Sequence, residues 1–513
     1  MVGGTKAGTV LDATTLSWEG PMARKKAKEV AELGNFQTPL GLARQVCKSP
    51  ALRRLRPASI VEPTCGVGSF LIASLEAYSS VRTAIGLDIQ RECVRAAKSS
   101  LRATVGLKNT AVRQADFFAT DWPSLLSKLP DPVLVVGNPP WVTNAELGTL
   151  GSTNLPEKTN FQGQVGLEAL TGKSNFDISE WMLIHLIECL NQRRATLAML
   201  CKTAVARKVL RHAWKNRISV PRAEIRAIDA SEHFGAAVDA CLLVCHLNLT
   251  GPDATSSGPD CDVFDNLQQR EPTRRFGWRD GRLIANLKAY QRWHHLQGKE
   301  QYRWRSGVKH DCSRVMEFRR EGNSYRNGFD QLIELEHEYL YPMLKSSELA
   351  NLSTNGPIRA MLVTQKTVGE ETASIRDRAP KTWEYLLSHA ALLDKRASTI
   401  YRNRPRFSVF GVGSYTFSPW KVAISGFYKH LRFVIVGPCE DKPTVLDDTS
   451  YLIPCRDQPE AEHVASLLNS EIAHEFYSAF VFWDAKRPIT TEILRRLDLA
   501  ALARELDASE TKT

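Results

Sequence analysis

Asn138-Pro139-Pro140-Trp141 closes the apolar run Val135-Val136-Gly137. The two prolines fix the backbone and remove two N–H donors, so the turn presents carbonyl acceptors beside the Asn138 amide. An Asn-Pro pair also marks ordinary turns. Upstream, Ile60–Phe70 reads as a strand, a turn containing Gly66 and Gly68, and a helix start. Glycine there lets the backbone turn sharply and approach a ligand; a tight strand-to-helix connection would use the same residues. Asp88, in Gly86-Leu87-Asp88-Ile89, suits the paired hydroxyls of a ribose, and equally a turn or helix cap. Asp116 can accept from an exocyclic amine while Phe117 packs on a purine; Phe117 equally suits a core. Each feature falls at a strand end, where open α/β sheets bind their ligands.

The elements that must position these residues alternate in type. Short apolar runs at 58–61, 83–87, 132–136, 195–200, 224–228 and 240–246 read as buried strands. Ser69–Tyr78, Gln90–Val105, Ile178–Asn191 and Arg207–Asn216 carry helical patterns between them. Strands alternating with helices imply βαβ units and a predominantly parallel sheet. The Gly-, Pro- and Ser-rich stretch 251–262 reads as a linker. The expected organisation is a tail and basic helix over 1–34, an α/β domain over 35–250, the linker, and a mixed α+β domain over 263–513.

These motifs, in this order, resemble the amino-methyltransferases that use S-adenosylmethionine, specifically DNA adenine-N6 methyltransferases of the γ order. Asn35-Phe36-Gln37-Thr38-Pro39 is similar to the family's first cofactor-contacting motif, and His233-Phe234-Gly235 to its target-base aromatic. The resemblance implies a Rossmann-like class I methyltransferase domain over 35–250 and a DNA target-recognition domain over 263–513. It implies cofactor contacts from Thr38, Pro39, Glu62, Cys65, Gly66, Gly68, Asp88, Asp116 and Phe117. It makes Asn138, Pro139, Pro140 and Trp141 the catalytic turn, with Trp141 and Phe234 facing a base swung out of the duplex. Phe234 also suits a core position before a strand. The segment 142–180 is longer than a minimal core needs, and Asn175-Phe176-Asp177-Ile178 departs from the family's Asp-Leu-Tyr helix start, leaving the role of Asp177 open.

The chain has 513 residues, with 67 Lys+Arg against 56 Asp+Glu, a net charge of +11 that suggests an acidic partner. Lys395–Phe433 holds eight basic residues and no acid, interleaved with aromatics. Arg402, Arg404, Arg406, Lys421 and Lys429, with Arg305 and Lys309, are the candidate DNA contacts. The 11 cysteines contain no C-x-x-C pair, which excludes zinc-ribbon spacing and argues for a reducing cytoplasm, bacterial or archaeal. No metal is expected. The partners expected are double-stranded DNA and a cognate restriction endonuclease or defence-system subunit. Two other readings stay open: a methyltransferase for RNA adenine or protein glutamine, and a non-catalytic DNA-binding specificity subunit.

Overall fold

The computed structural model describes residues 37–105, 109–142, 177–248, 258–299, 302–322, 324–349 and 358–510. The expected basic helix Pro21–Leu33, residues Asn35 and Phe36, and most of the segments 142–180 and 251–262 lie outside the described residues. The chain divides into two compact units, Met1–Arg274 and Arg275–Thr513.

In the first unit, α1 (Leu40–Lys48) precedes β1 (Ser59–Glu62). There follow α2 (Ser69–Ala77), β2 (Thr83–Asp88), α3 (Arg91–Thr104), β3 (Thr110–Gln114), α4 (Trp122–Ser127) and β4 (Val133–Gly137). Then come α5 (Ile178–Cys189), β5 (Ala195–Lys202), α6 (Thr203–Lys215), β6 (Arg222–Ile228), α7 (Ala230–Phe234), β7 (Ala240–Leu247) and β8 (Asp260–Phe264). The strands lie in the order β8-β6-β7-β5-β4-β1-β2-β3. Neighbours run parallel except β7, which is antiparallel to both β5 and β6.

Sequence explains the layering. β4 and β7 are buried at every position, as their near-continuous apolar runs require of strands covered on both faces. β3 keeps only Val112 buried and occupies one end of the order. α3 turns Val94, Ala97 and Leu101 inward on one helical face. The core joins Ile60, Leu71, Leu134, Val136, Leu200 and Leu242. The expected predominantly parallel α/β sheet is the one observed.

The first unit extends past the linker composition suggested. β8 begins at Asp260 and pairs in parallel with β6, Ala223 opposite Cys261 and Arg226 opposite Phe264. Buried Arg226 explains why. It donates to Glu224 (2.9 Å from Nε, 2.7 Å from Nη2) and to the carbonyls of Leu267 (3.2 Å) and Gln269 (2.7 Å), and its guanidinium lies 3.8 Å from the Phe264 ring centroid. The chain after Phe264 is thereby pinned to β6, and the division falls after Arg274.

The second unit is mixed α+β. One sheet runs, in order, through Arg305–Ser306, Ser450–Cys455, Trp420–Ser425 and Val434–Val436. Another runs through Leu332–Ile333, Ser324–Arg326, Glu317–Glu321, Arg359–Leu362, Leu340–Leu344 and Val445–Leu446. Two helices, Gln458–Leu468 and Glu471–Ser478, follow in sequence, and Ser470 caps the second through the Ala473 N–H. The span 395–433 holds short 3-10 turns and the strand Trp420–Ser425.

Removing one member of a buried ion pair strands the other. Arg226→Leu is therefore expected to cost about 3–5 kcal/mol, read from the urea midpoint. An unchanged midpoint would show that Arg226 does not hold β8 to the unit.

Candidate functional site

The carboxyl ends of β1, β2 and β4 carry the first group of residues. After β1 the chain turns through Gly66 (φ 51°) and Gly68 (φ 85°), both in the left-handed region that glycine tolerates. Two carboxylates hold this turn. Asp88 accepts the Gly66 N–H at 2.8 Å with one oxygen and the Gln90 N–H at 2.8 Å with the other. Glu62 accepts the Leu71 N–H at 3.0 Å, supplying the N-terminus of α2 with an acceptor that its own cap residue, Gly68, lacks. Glu62 is only 3% exposed. Burial pushes its carboxyl well above the usual range, against the Leu71 and Phe70 N–H bonds, which favour the charged form.

The segment before α1 closes over the turn. Gln37 Oε1 accepts the Val67 N–H at 3.2 Å, and Ser69 Oγ donates to the Thr38 carbonyl at 2.7 Å. A Cβ on Gly66 would sit 2.3 Å from Gln37 Oε1 and displace that side chain from the Val67 N–H, while the positive φ is what calls for glycine here. The Cys65 N–H bonds the Leu87 carbonyl at 2.7 Å, and burial raises the Cys65 thiol, which stays protonated.

Asp116 accepts the Phe118 N–H at 2.8 Å, and the Ala115 N–H bonds the Asp88 carbonyl at 3.0 Å, so the ends of β2 and β3 are joined. Phe117 faces inward, with ring centroids 4.8 Å from Trp122 and 6.2 Å from Trp181. Of the two readings open for Phe117, the geometry matches the core aromatic.

At the end of β4, Thr64 Oγ1 donates to the Asn138 carbonyl at 3.3 Å, linking the Asn138–Trp141 turn to the glycine turn. Trp141 is 5% exposed. Its Nε1 donates to the Leu200 carbonyl at 3.4 Å, and its ring meets Phe234 edge-on, centroids 5.2 Å apart at 75°. Trp141 lies in the core, and Phe234, half-buried at the end of α7, covers its ring. Asp177 is the cap of α5, accepting the Ser179 N–H at 3.0 Å.

The structure thus brings Thr38, Glu62, Cys65, Gly66, Gly68, Asp88 and Asn138 into one bonded network. Three neighbours of that network were missed from sequence: Gln37 as an acceptor, Ile89 and Lys202. Ile89 follows Asp88 and leaves an apolar side chain 44% exposed at a strand end. Lys202 ends the apolar strand β5, a charge whose position was itself a readable signal.

In the second unit, Arg402, Arg404 and Arg406 are exposed on one short stretch, Arg406 paired with Asp394 at 2.8 Å. Phe407 behind them is buried with φ 64°, fixing the turn that presents them. Lys309 pairs with Asp311 at 3.2 Å, and the Arg305 guanidinium lies 4.9 Å from the Tyr415 ring centroid. Lys429 donates to the carbonyls of Trp483 and Ala485. Lys421 is a correction: it is 0% exposed, donates to the Ser418 carbonyl, and is pushed down to about 8 by burial. Every residue of the strand Trp420–Ser425 after Trp420 is buried, so the Lys421 ammonium is not presented to a phosphate.

Sheet order, glycine turn and acceptor turn together define a methyltransferase of the class I fold. Type II methyltransferase M.NspV of Nostoc sp. (strain ATCC 29411 / PCC 7524) is 44% identical over 484 residues, 94% of this chain and 99% of that protein. The chain belongs to the type II methyltransferase family. A similar solved structure is the type IIL restriction-modification enzyme MmeI in complex with DNA, with TM-score 0.51 and 13% identity over 92% of this chain, which spans 65% of that one. No family model matches the chain.

Lys421 supplies a pH test. Its folded value lies below the unfolded 10.5, so the unfolded chain binds the extra proton between about 8 and 10.5. Wild-type protein should gain stability relative to Lys421→Met as pH rises through that window, by parallel denaturant titrations. A pH-independent difference would place the amine in water.

Proposed function

We propose that this chain transfers the methyl group of S-adenosylmethionine to the N6 amino group of adenine in duplex DNA, as the modification arm of a restriction-modification or related defence system. The observation that carries the reading is the Asn138–Trp141 acceptor turn, joined through Thr64 to a glycine turn braced by Glu62 and Asp88.

The residues present fit the donor. Buried Glu62 gains from a cation brought beside it, which suits the methionine end. Asp88 stands beside the glycine turn for the ribose hydroxyls. Asp116 and the exposed Ile89 offer an acceptor and an apolar surface for the adenine ring. S-adenosylmethionine supplies an electrophilic methyl on a sulfonium, a good leaving group.

The chain's own residues address the acceptor. The adenine amine is a poor nucleophile because its lone pair is delocalised into the ring. Asn138 Oδ1 and the Pro139 carbonyl each accept one N–H, which draws the nitrogen toward a pyramidal shape and frees the lone pair for in-line displacement. As the C–N bond forms and the C–S bond breaks, the nitrogen becomes cationic, and one of its two protons then passes to water. A base swung out of the duplex reaches this turn when Phe234 moves off the Trp141 ring. In the second unit, Arg402, Arg404 and Arg406 meet the phosphate backbone, with Arg305, Lys309 and Lys429 as further contacts. A cognate endonuclease acting on the same site is the natural partner.

Tritium from labelled S-adenosylmethionine should appear in duplex DNA and not in RNA or protein. Asn138→Ala should abolish that transfer while the cofactor still binds. Label in protein glutamine or RNA, or near-normal turnover by Asn138→Ala, would contradict the reading.

A further inference from the structure

The end of β5 holds a charged contact that the mechanism above does not use. Gly137 of β4 pairs with Met199 of β5, so the Asn138–Trp141 turn leaves the sheet alongside Leu200–Lys202. Lys202 Nζ donates to the Trp141 carbonyl at 3.1 Å and to Asp177 Oδ2 at 2.7 Å. Asp177 is buried, and its second oxygen accepts from the Ser179 N–H and hydroxyl. The Ile178 N–H bonds the Val142 carbonyl at 2.9 Å.

Trp141 is therefore pinned from β5 at both ends, its ring by the Leu200 carbonyl and its backbone by the Lys202 ammonium. Thr64 holds the other end of the turn at the Asn138 carbonyl. The Lys202 link is the charged member of this set. A hydrogen bond to an ionised group is roughly twice as strong as a neutral one. It joins the acceptor turn to the rigid start of α5, and catalytic groups held by strands and helices stay in place better than groups held by loops. Lys202 ends a strand whose other residues, Ala195–Cys201, are all buried. Lys202 itself is partly exposed, its side chain at 27%, and reaches both acceptors from the strand end.

We propose that Lys202, with Asp177, is a positioning pair for methyl transfer: it fixes the Trp141 carbonyl and so sets the Asn138 and Pro139 acceptors against the substrate amine. This rests on the function proposed above. Lys202 acts through the turn and does not touch the reacting atoms.

The test is single-turnover methyl transfer to duplex DNA at saturating S-adenosylmethionine, with cofactor and duplex affinities and thermal midpoints measured on the same samples. Lys202→Met keeps the stem and removes the ammonium. It should slow transfer on the order of 10²-fold, the cost of misplacing a reacting geometry by about 1 Å, with both affinities unchanged. Asp177→Asn, which keeps the α5 cap, should slow transfer in the same sense, and the double variant should be no slower than Lys202→Met alone. Lys202→Arg should recover part of the rate. Lys208→Met is the control: it breaks the neighbouring pair between Lys208 of α6 and Glu180 of α5 (2.6 Å) without touching Trp141, and should keep the wild-type rate.

A wild-type transfer rate in Lys202→Met, or an equal loss in Lys208→Met, would overturn the positioning role while leaving the proposed reaction standing. If Lys202→Met does not fold, Asp177→Asn decides alone, a wild-type rate overturning the proposal. Failure of the wild-type protein itself to methylate duplex DNA would remove the reaction and this role with it.

Discussion

The turn between β1 and α2 must run through two left-handed residues with its N–H groups satisfied inside the protein, and two carboxylates make that conformation stable. Asp88 takes the Gly66 N–H from the neighbouring strand, and Glu62 takes the Leu71 N–H from beneath the helix. Asp88 reaches across from β2, so the turn is fixed by the parallel pairing of β1 with β2 as much as by its glycines. A second parallel pairing sets β4 beside β1, which brings Thr64 against Asn138. Loss of β1 from the sheet would dismantle the glycine turn and the Asn138–Trp141 turn together.

Much of this was legible because the signals were local. Apolar runs at strand spacing announced β1, β2 and β4–β7, and glycines and prolines at strand ends marked the turns. What stayed hidden depends on partners distant in sequence. Nothing near Asp177 names Lys202 as its partner, and nothing near Trp141 says that Leu200 and Phe234 close over its ring. Composition misplaced the domain boundary because a Gly- and Pro-rich stretch can precede a strand; the buried Arg226 that binds that strand looks, in sequence, like one more surface cation.

Charge shows the same limit. The acid-free stretch 395–433 reads as a uniform basic surface, yet the structure sorts it. Arg402, Arg404 and Arg406 face outward, Arg396 bends back onto the carbonyls of Leu393, His310 and Ser408, and Lys421 is enclosed. Arg396 packs 3.7 Å from the Tyr401 ring centroid, and burial pulls its guanidinium below the usual value. These inward cations shape the loop, and the outward ones are what it offers to an anionic partner.

The proposed reaction has the acceptor turn at the end of β4 address one amine, that of adenine in duplex DNA. Single-molecule sequencing of DNA from a host expressing the chain reads modified base and sequence context together. N6-methyladenine is expected at a fixed sequence motif, absent from DNA of a host expressing Asn138→Ala. Unmodified adenine with the wild-type chain, or methylation found on cytosine instead, would contradict it.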